Sequence, residues 1–95
     1  MNADIYPEDA QVHMNLAKTY FLKKEYGKAE LFFQKAVAIN KEDPEAYQYL
    51  ARIYSALDRK QEAQDHFKTA TGLLEGQGNK DVAEGLEKQY RQLTH

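Results

Sequence analysis

Three histidines, a single serine, an acidic turn and a glycine-rich stretch are the features of this 95-residue chain whose types could do chemistry. A metal site needs several ligands on one face, and His13, His66 and His95 have neither ligand spacing nor a carboxylate cluster beside them. His13 takes an aromatic packing place in the pattern described below, and His66 is expected at the surface. Ser55 has no obvious base near it, and a serine hydroxyl without one is a poor nucleophile. Glu42-Asp43-Glu45 leads into a helix, where negative charge favours the positive end of the helix dipole. Gly72, Gly76 and Gly78 follow a helix rather than a strand, so they read as a loop and not as a phosphate cradle. No catalytic residue, no metal and no cofactor are expected, and the chain is not expected to be an enzyme.

The totals narrow the partners. A net charge of −2 gives no electrostatic case for nucleic acid. The chain has no cysteine, which excludes disulfides and thiolate zinc sites and leaves the compartment open. No run approaches the roughly twenty apolar residues of a membrane helix. Met1 to Ala10 lacks a basic start and an apolar run, so no signal peptide is expected. A charged fraction of 29% beside 42% hydrophobic residues is ordinary for a globular or repeat protein. The length suits one domain with a thin core, able to bury roughly two-thirds of its unfolded surface.

The chain resembles itself at an offset of 34. Leu16, Ala17 and Tyr20 recur as Leu50, Ala51 and Tyr54, and Ala29, Phe33 and Ala36 recur as Ala63, Phe67 and Ala70. The shared residues are apolar or aromatic while those between them drift, the pattern of one packing scheme used twice. Leu16 and Tyr20, four apart with Ala17 between, fall on one helical face, as do Ala29, Phe33 and Ala36. The short polar segment Lys23-Lys24-Glu25-Tyr26-Gly27 suits an antiparallel helix hairpin. Alanine lets two helix backbones approach closely, and Tyr20 and Phe33 fill the remaining space. Asp9 and Asp43 stand as N-caps, with Pro44 at a first helical position. Helices are predicted over about 10–24, 26–40, 44–57, 60–74 and 80–93, with no strand.

A Leu-Ala pair, a tyrosine three residues on, then Ala, Phe and Ala down the next helix at this period resembles the tetratricopeptide repeat. The resemblance covers Ala10 to Gln77. His13 departs from it where an aromatic is common, and Tyr47 keeps the aromatic; Lys41 stands where a proline is common. The implied fold is all-α: tetratricopeptide-like hairpins forming a short right-handed superhelix, whose first helices line a concave groove for a peptide or a partner's helix. The expected organisation is a single domain over 1–95, with repeats at about 10–43 and 44–77 and a capping helix at 79–94. The implied function is a protein–protein interaction module, a scaffold.

The groove face is set by helical geometry. Met14, Lys18 and Phe21 fall on a stripe away from Leu16, Ala17 and Tyr20. The corresponding stripe is Gln48, Arg52 and Ser55, with Tyr49 beside it, and on the last helix Glu84, Lys88 and Arg91. Lys18, Arg52 and Lys88 occupy equivalent places, which would give an acidic protein or peptide ligand a row of cations above an apolar floor of Met14 and Phe21. The carboxylate clamp that related co-chaperones use on chaperone tails is not reproduced, because Met14, Lys18 and Tyr49 stand at its positions.

Both ends carry expectations. Asn79, Leu86 and Tyr90 follow Asp43, Leu50 and Tyr54 by 36, so the last helix resembles the first helix of a third unit. Glu87 stands where Ala17 and Ala51 stood, so the helix is read as a polar cap. Gly85 weakens it for no evident reason. At the front, Ile5-Tyr6-Pro7-Glu8-Asp9 resembles the tail of a preceding repeat, since Ile5 precedes Ile39 by 34. That suggests the C-terminal part of a longer array. A second function follows from it: self-association, a homo-oligomer formed through the uncapped N-terminal end.

Overall fold

The computed structural model describes residues 9–93. The expectations on Ile5 to Glu8, on His95 and on the Tyr90 side chain fall outside the described residues. Five helices follow one another: α1 Ala10–Leu22, α2 Tyr26–Ile39, α3 Pro44–Ala56, α4 Lys60–Gly76 and α5 Lys80–Leu93. Among the described residues there is no strand. The chain divides into two compact units, one ending at Glu42 with α1 and α2, the other starting at Asp43 with α3, α4 and α5.

Helix starts follow local chemistry. The Asp9 carboxylate accepts from the backbone N–H of Gln11 at 2.9 Å, and Asp43 accepts from Glu45 at 3.0 Å. Each satisfies one of the first-turn donors that no carbonyl inside the helix can reach. Pro44 occupies the first position of α3, where it has no hydrogen bond to lose. Asn40 ends α2 in extended backbone, and its side-chain oxygen accepts from the N–H of Glu42 at 3.2 Å, turning the chain toward α3.

Three helices end in the same way. Lys24, Asp58 and Gly78 adopt left-handed backbone, with φ of 63°, 61° and 84°. The next residue then bonds backward over five positions: Glu25 N–H to Tyr20, Arg59 to Tyr54 and Asn79 to Leu74, at 2.9, 2.8 and 2.8 Å. This is the Schellman closure, which pairs carbonyls the helix itself leaves open. It also corrects the reading of the glycines. The turn is made at Gly78, so α4 runs to Gly76, and Gly72 and Gly76 are helical rather than loop residues.

The first unit packs α1 on α2, with Met14, Ala17, Ala29, Phe33 and Ala36 buried. In the second unit Ala51, Phe67, Ala70, Leu74, Ala83 and Leu86 form one cluster, and Tyr47 packs against it. Ala17, Ala29, Ala51 and Ala70 are wholly inaccessible, and Phe33 and Phe67 are the largest side chains buried beside them. Burying such a ring contributes about 1.5–3 kcal/mol. Ala46 and Ile53 are fully buried as well, although neither was in the repeat pattern.

Leu16 departs from expectation. It was placed with the repeat core and is 40% exposed, while Leu50, its counterpart, is 1% exposed. α1 turns its Met14–Ala17 side inward, and Leu16 lies about 200° around the helix from Met14. Met14 departs in the opposite sense. It was expected on the groove floor and is 2% exposed, its unbranched side chain filling space in the core beside Ala17.

Two tests follow from this packing. Ala29→Leu and Ala63→Leu each force a larger side chain into a closed helix contact, with an expected loss of about 1–3 kcal/mol in chemical denaturation. The glycines give opposite signs. A Cβ at Gly85 would meet nothing within 4 Å, so Gly85→Ala is expected to stabilise α5 by about 0.5–1 kcal/mol. Gly78→Ala faces equally open space but a φ of 84°, and is expected to lower the melting temperature through backbone strain alone.

Candidate protein-interaction surface

On α3 the buried residues Ala46, Leu50, Ala51, Ile53 and Tyr54 occupy a little under half the circumference. The rest of the circumference carries Gln48, Tyr49, Arg52 and Ser55. Arg52 is exposed and the other three are half-buried. The Arg52 guanidinium lies 5.8 Å from the centre of the Tyr49 ring, within reach of a cation–π contact. Arg52 is exposed, so its guanidinium N–H groups are open to a ligand carboxylate, which a guanidinium can take in a two-pronged bond.

On α5, Glu84, Glu87, Lys88 and Arg91 line a shallow open cleft. Alternating signs at this spacing leave the helix without an excess of either, so the Lys88 position sits among carboxylates. A second cleft, of about 220 Å³, lies between α4 and α5 and is lined by Phe67, Lys68, Thr71, Glu75 and Glu87. On α1, Lys18 and Phe21 are half-buried, and Phe21 meets Tyr26 edge-on with ring centres 5.8 Å apart. Met14 contributes no surface. Of the residues expected to line a groove, the second unit therefore brings Gln48, Tyr49, Arg52 and Ser55 onto one face of α3, and Glu84, Lys88 and Arg91 onto one face of α5.

The aromatic and charged residues between paired helices form a motif that sequence reasoning missed. In the first hairpin the Phe32 ring stacks between His13 and Tyr20, with centres at 6.1 and 5.6 Å. In the second, 34 residues on, the His66 ring lies between Tyr47 and Tyr54, at 6.0 and 4.9 Å. His66 is thus half-buried between two tilted rings and not a free surface residue, with Nδ1 2.8 Å from the carbonyl of Glu62. The signal was present: the residue 34 before His66 is Phe32, an aromatic.

An ion pair accompanies each stack. Lys28 is 3.4 Å from Glu25 and 5.5 Å from the centre of the Tyr20 ring. At the same register the signs are exchanged: Arg59 binds both oxygens of Glu62 at 2.6 Å and lies 4.6 Å over Tyr54. In both hairpins the cation reaches the tyrosine. The Arg59 hydrogen bonds hold the Glu62 carboxyl below the usual carboxylate range. A depressed folded value means the contribution is present at neutral pH and is lost as the pH falls through that value.

Among the described residues, no group of three His, Cys, Asp or Glu side chains could hold a metal ion. No helix there is long and apolar enough to cross a membrane.

Two family models of the tetratricopeptide repeat match the chain, over residues 10–43 and 32–65. Together they span more than half of it, and the chain belongs to the tetratricopeptide-repeat family. Its five helices are an all-α repeat fold, and the family assignment makes it a protein-interaction module of the scaffold kind, a class that generally binds proteins or peptides. The crystal structure of MamA is similar in fold, with a TM-score of 0.67 at 20% sequence identity over 93% of this chain. The chain spans 60% of the length of that one. No curated protein matches the sequence.

The exchanged ion pair can be tested directly. Arg59→Glu is expected to lower the melting temperature followed by circular dichroism, since it removes the cation over Tyr54 and opposes Glu62. The double variant Arg59→Glu/Glu62→Lys reproduces the order seen at Glu25 and Lys28 and is expected to recover most of the loss. A double variant no more stable than the single would show that the pair does not act with the ring.

Proposed function

We propose that the chain binds a peptide or helix of a partner protein on the open faces of its first helices, with a preference for acidic ligands. The observation that carries this reading is Arg52, exposed and resting on Tyr49, between the half-buried polar residues Gln48 and Ser55. A cation held over a ring loses less freedom on binding than a free side chain would. The chain as a whole is acidic, so an oriented guanidinium is a local exception to its average surface. In the first unit Lys18 occupies the register of Arg52, and on α5 Lys88 occupies it again, tempered by Glu84 and Glu87.

Individual exposed pairs contribute on the order of 0–1 kcal/mol, so charge supplies orientation and encounter rate more than affinity. Apolar contacts must supply most of the binding; with Met14 in the core, that role falls to the half-buried Phe21 on the first unit and, separately, to the Tyr49 ring on the second. A peptide array is expected to return acidic binders, and Lys18→Glu/Arg52→Glu is expected to weaken them about tenfold and flatten their salt dependence. Binders with no acidic bias, or binding untouched by charge reversal, would leave these cations as ordinary solvated surface.

A further inference from the structure

The outer stripe of α1 differs from the same stripe of α3. Asp9, Val12, Leu16, Thr19 and Lys23 lie at spacings of three and four and share one side of α1. Their counterparts 34 residues on are Asp43, Ala46, Leu50, Ile53 and Leu57. In α3 the middle three are buried to 0, 1 and 0% exposure. In α1, Val12 and Leu16 are each 40% exposed and Thr19 is exposed too. The repeat thus builds, at this register, a surface for close packing, and on α1 that surface is open.

The stripe is also ordered by charge. Asp9 stands at the N-cap of α1, Lys23 at its C-cap, and Leu16 midway between them. Two such helices laid antiparallel on a two-fold axis would set Leu16 against its own copy. They would also set each Asp9 against the partner's Lys23. The stripe is complementary to itself in sign, as an interface between identical copies must be. The α5 face of Glu84, Glu87, Lys88 and Arg91 is charged and gives Val12 and Leu16 nothing apolar to pack on, whereas the α1 stripe meets its own copy with opposite signs at both edges.

We propose that two copies of the chain associate through α1, antiparallel about a two-fold axis, with Leu16 at the centre and Asp9–Lys23 pairs at both edges. The association is closed at two copies, because each copy has one such stripe among its described residues. The apolar area is small for a stable interface, so the dimer is weak, with a dissociation constant on the order of 100 µM.

Sedimentation equilibrium up to about 1 mM is the test, near the weak end of specific association. The wild type is expected to dimerise over this range and Leu16→Glu to remain monomeric with unchanged helicity, since Leu16 is not a core residue. Charge gives the second arm. Lys23→Glu places acid against Asp9, and Asp9→Lys places base against Lys23, so each variant alone is expected to be monomeric. Mixed in equal amounts, they restore opposite signs at both edges and are expected to form a heterodimer. Circular dichroism on each variant checks folding, because Asp9→Lys also removes the cap on Gln11; should that variant unfold, Leu16→Glu and Lys23→Glu carry the test. A wild type monomeric throughout would overturn the proposal. So would a dimer indifferent to Leu16→Glu, or folded charge variants that pair no better mixed than alone.

Discussion

Close approach of paired helices at alanine is the constraint on which the rest of the structure depends. Where Ala17, Ala29, Ala51 and Ala70 sit, no accessible surface remains, and the backbones come near enough for Phe33 and Phe67 to close the space around them. A larger side chain at such a place would hold the helices apart and open voids on either side, losing dispersion contacts along the whole seam. Both hairpins therefore carry the same small residues at the same spacing while their outer residues differ almost freely. The variable outer residues are then available for recognition without disturbing the seam.

The turns serve that seam. A hairpin with so few connecting residues must reverse direction at once, and the left-handed residues Lys24 and Asp58 accomplish it while the backward hydrogen bonds satisfy the last carbonyls. The residue that follows each turn begins the ion pair that reaches back to the tyrosine two residues before the end of the first helix. In one hairpin the cation is Lys28 and in the other Arg59, with the acid exchanged accordingly. What the two hairpins preserve is a positive charge over a ring, and the order of the charges along the chain is secondary.

Burial sorts the open residues into separate roles. On α3 the core takes one arc and leaves Gln48, Tyr49, Arg52 and Ser55 as a polar and aromatic face around an oriented guanidinium. On α1 the arc is placed differently, so that Met14 goes inward and Leu16 outward. Residues at equal register thus have unequal exposure, and a position in the repeat does not by itself say whether a side chain meets a ligand.

Much of this was legible in the residues. The 34-residue spacing of Leu, Ala, Tyr, Ala, Phe and Ala, the caps at Asp9 and Asp43 and the proline after Asp43 located five helices to within about two residues at each end, because periodicity, capping and small-residue packing are local in the chain. The end of α4 was placed short, since only the φ of Gly78 distinguishes a glycine that turns the chain from Gly72 and Gly76, which continue the helix. Leu16 and Met14 exchanged their expected roles because hydrophobicity says that a side chain can be buried, whereas the rotation of a helix against its neighbours says which one is. The ring contacts of His13 and His66 and the cation over each tyrosine join residues from paired helices, and such contacts exist only once the hairpin has closed. Sequence alone determined the repeat, its helices and the family; the tertiary structure decided which faces remained open, because exposure is a property of what packs around a residue and not of the residue itself.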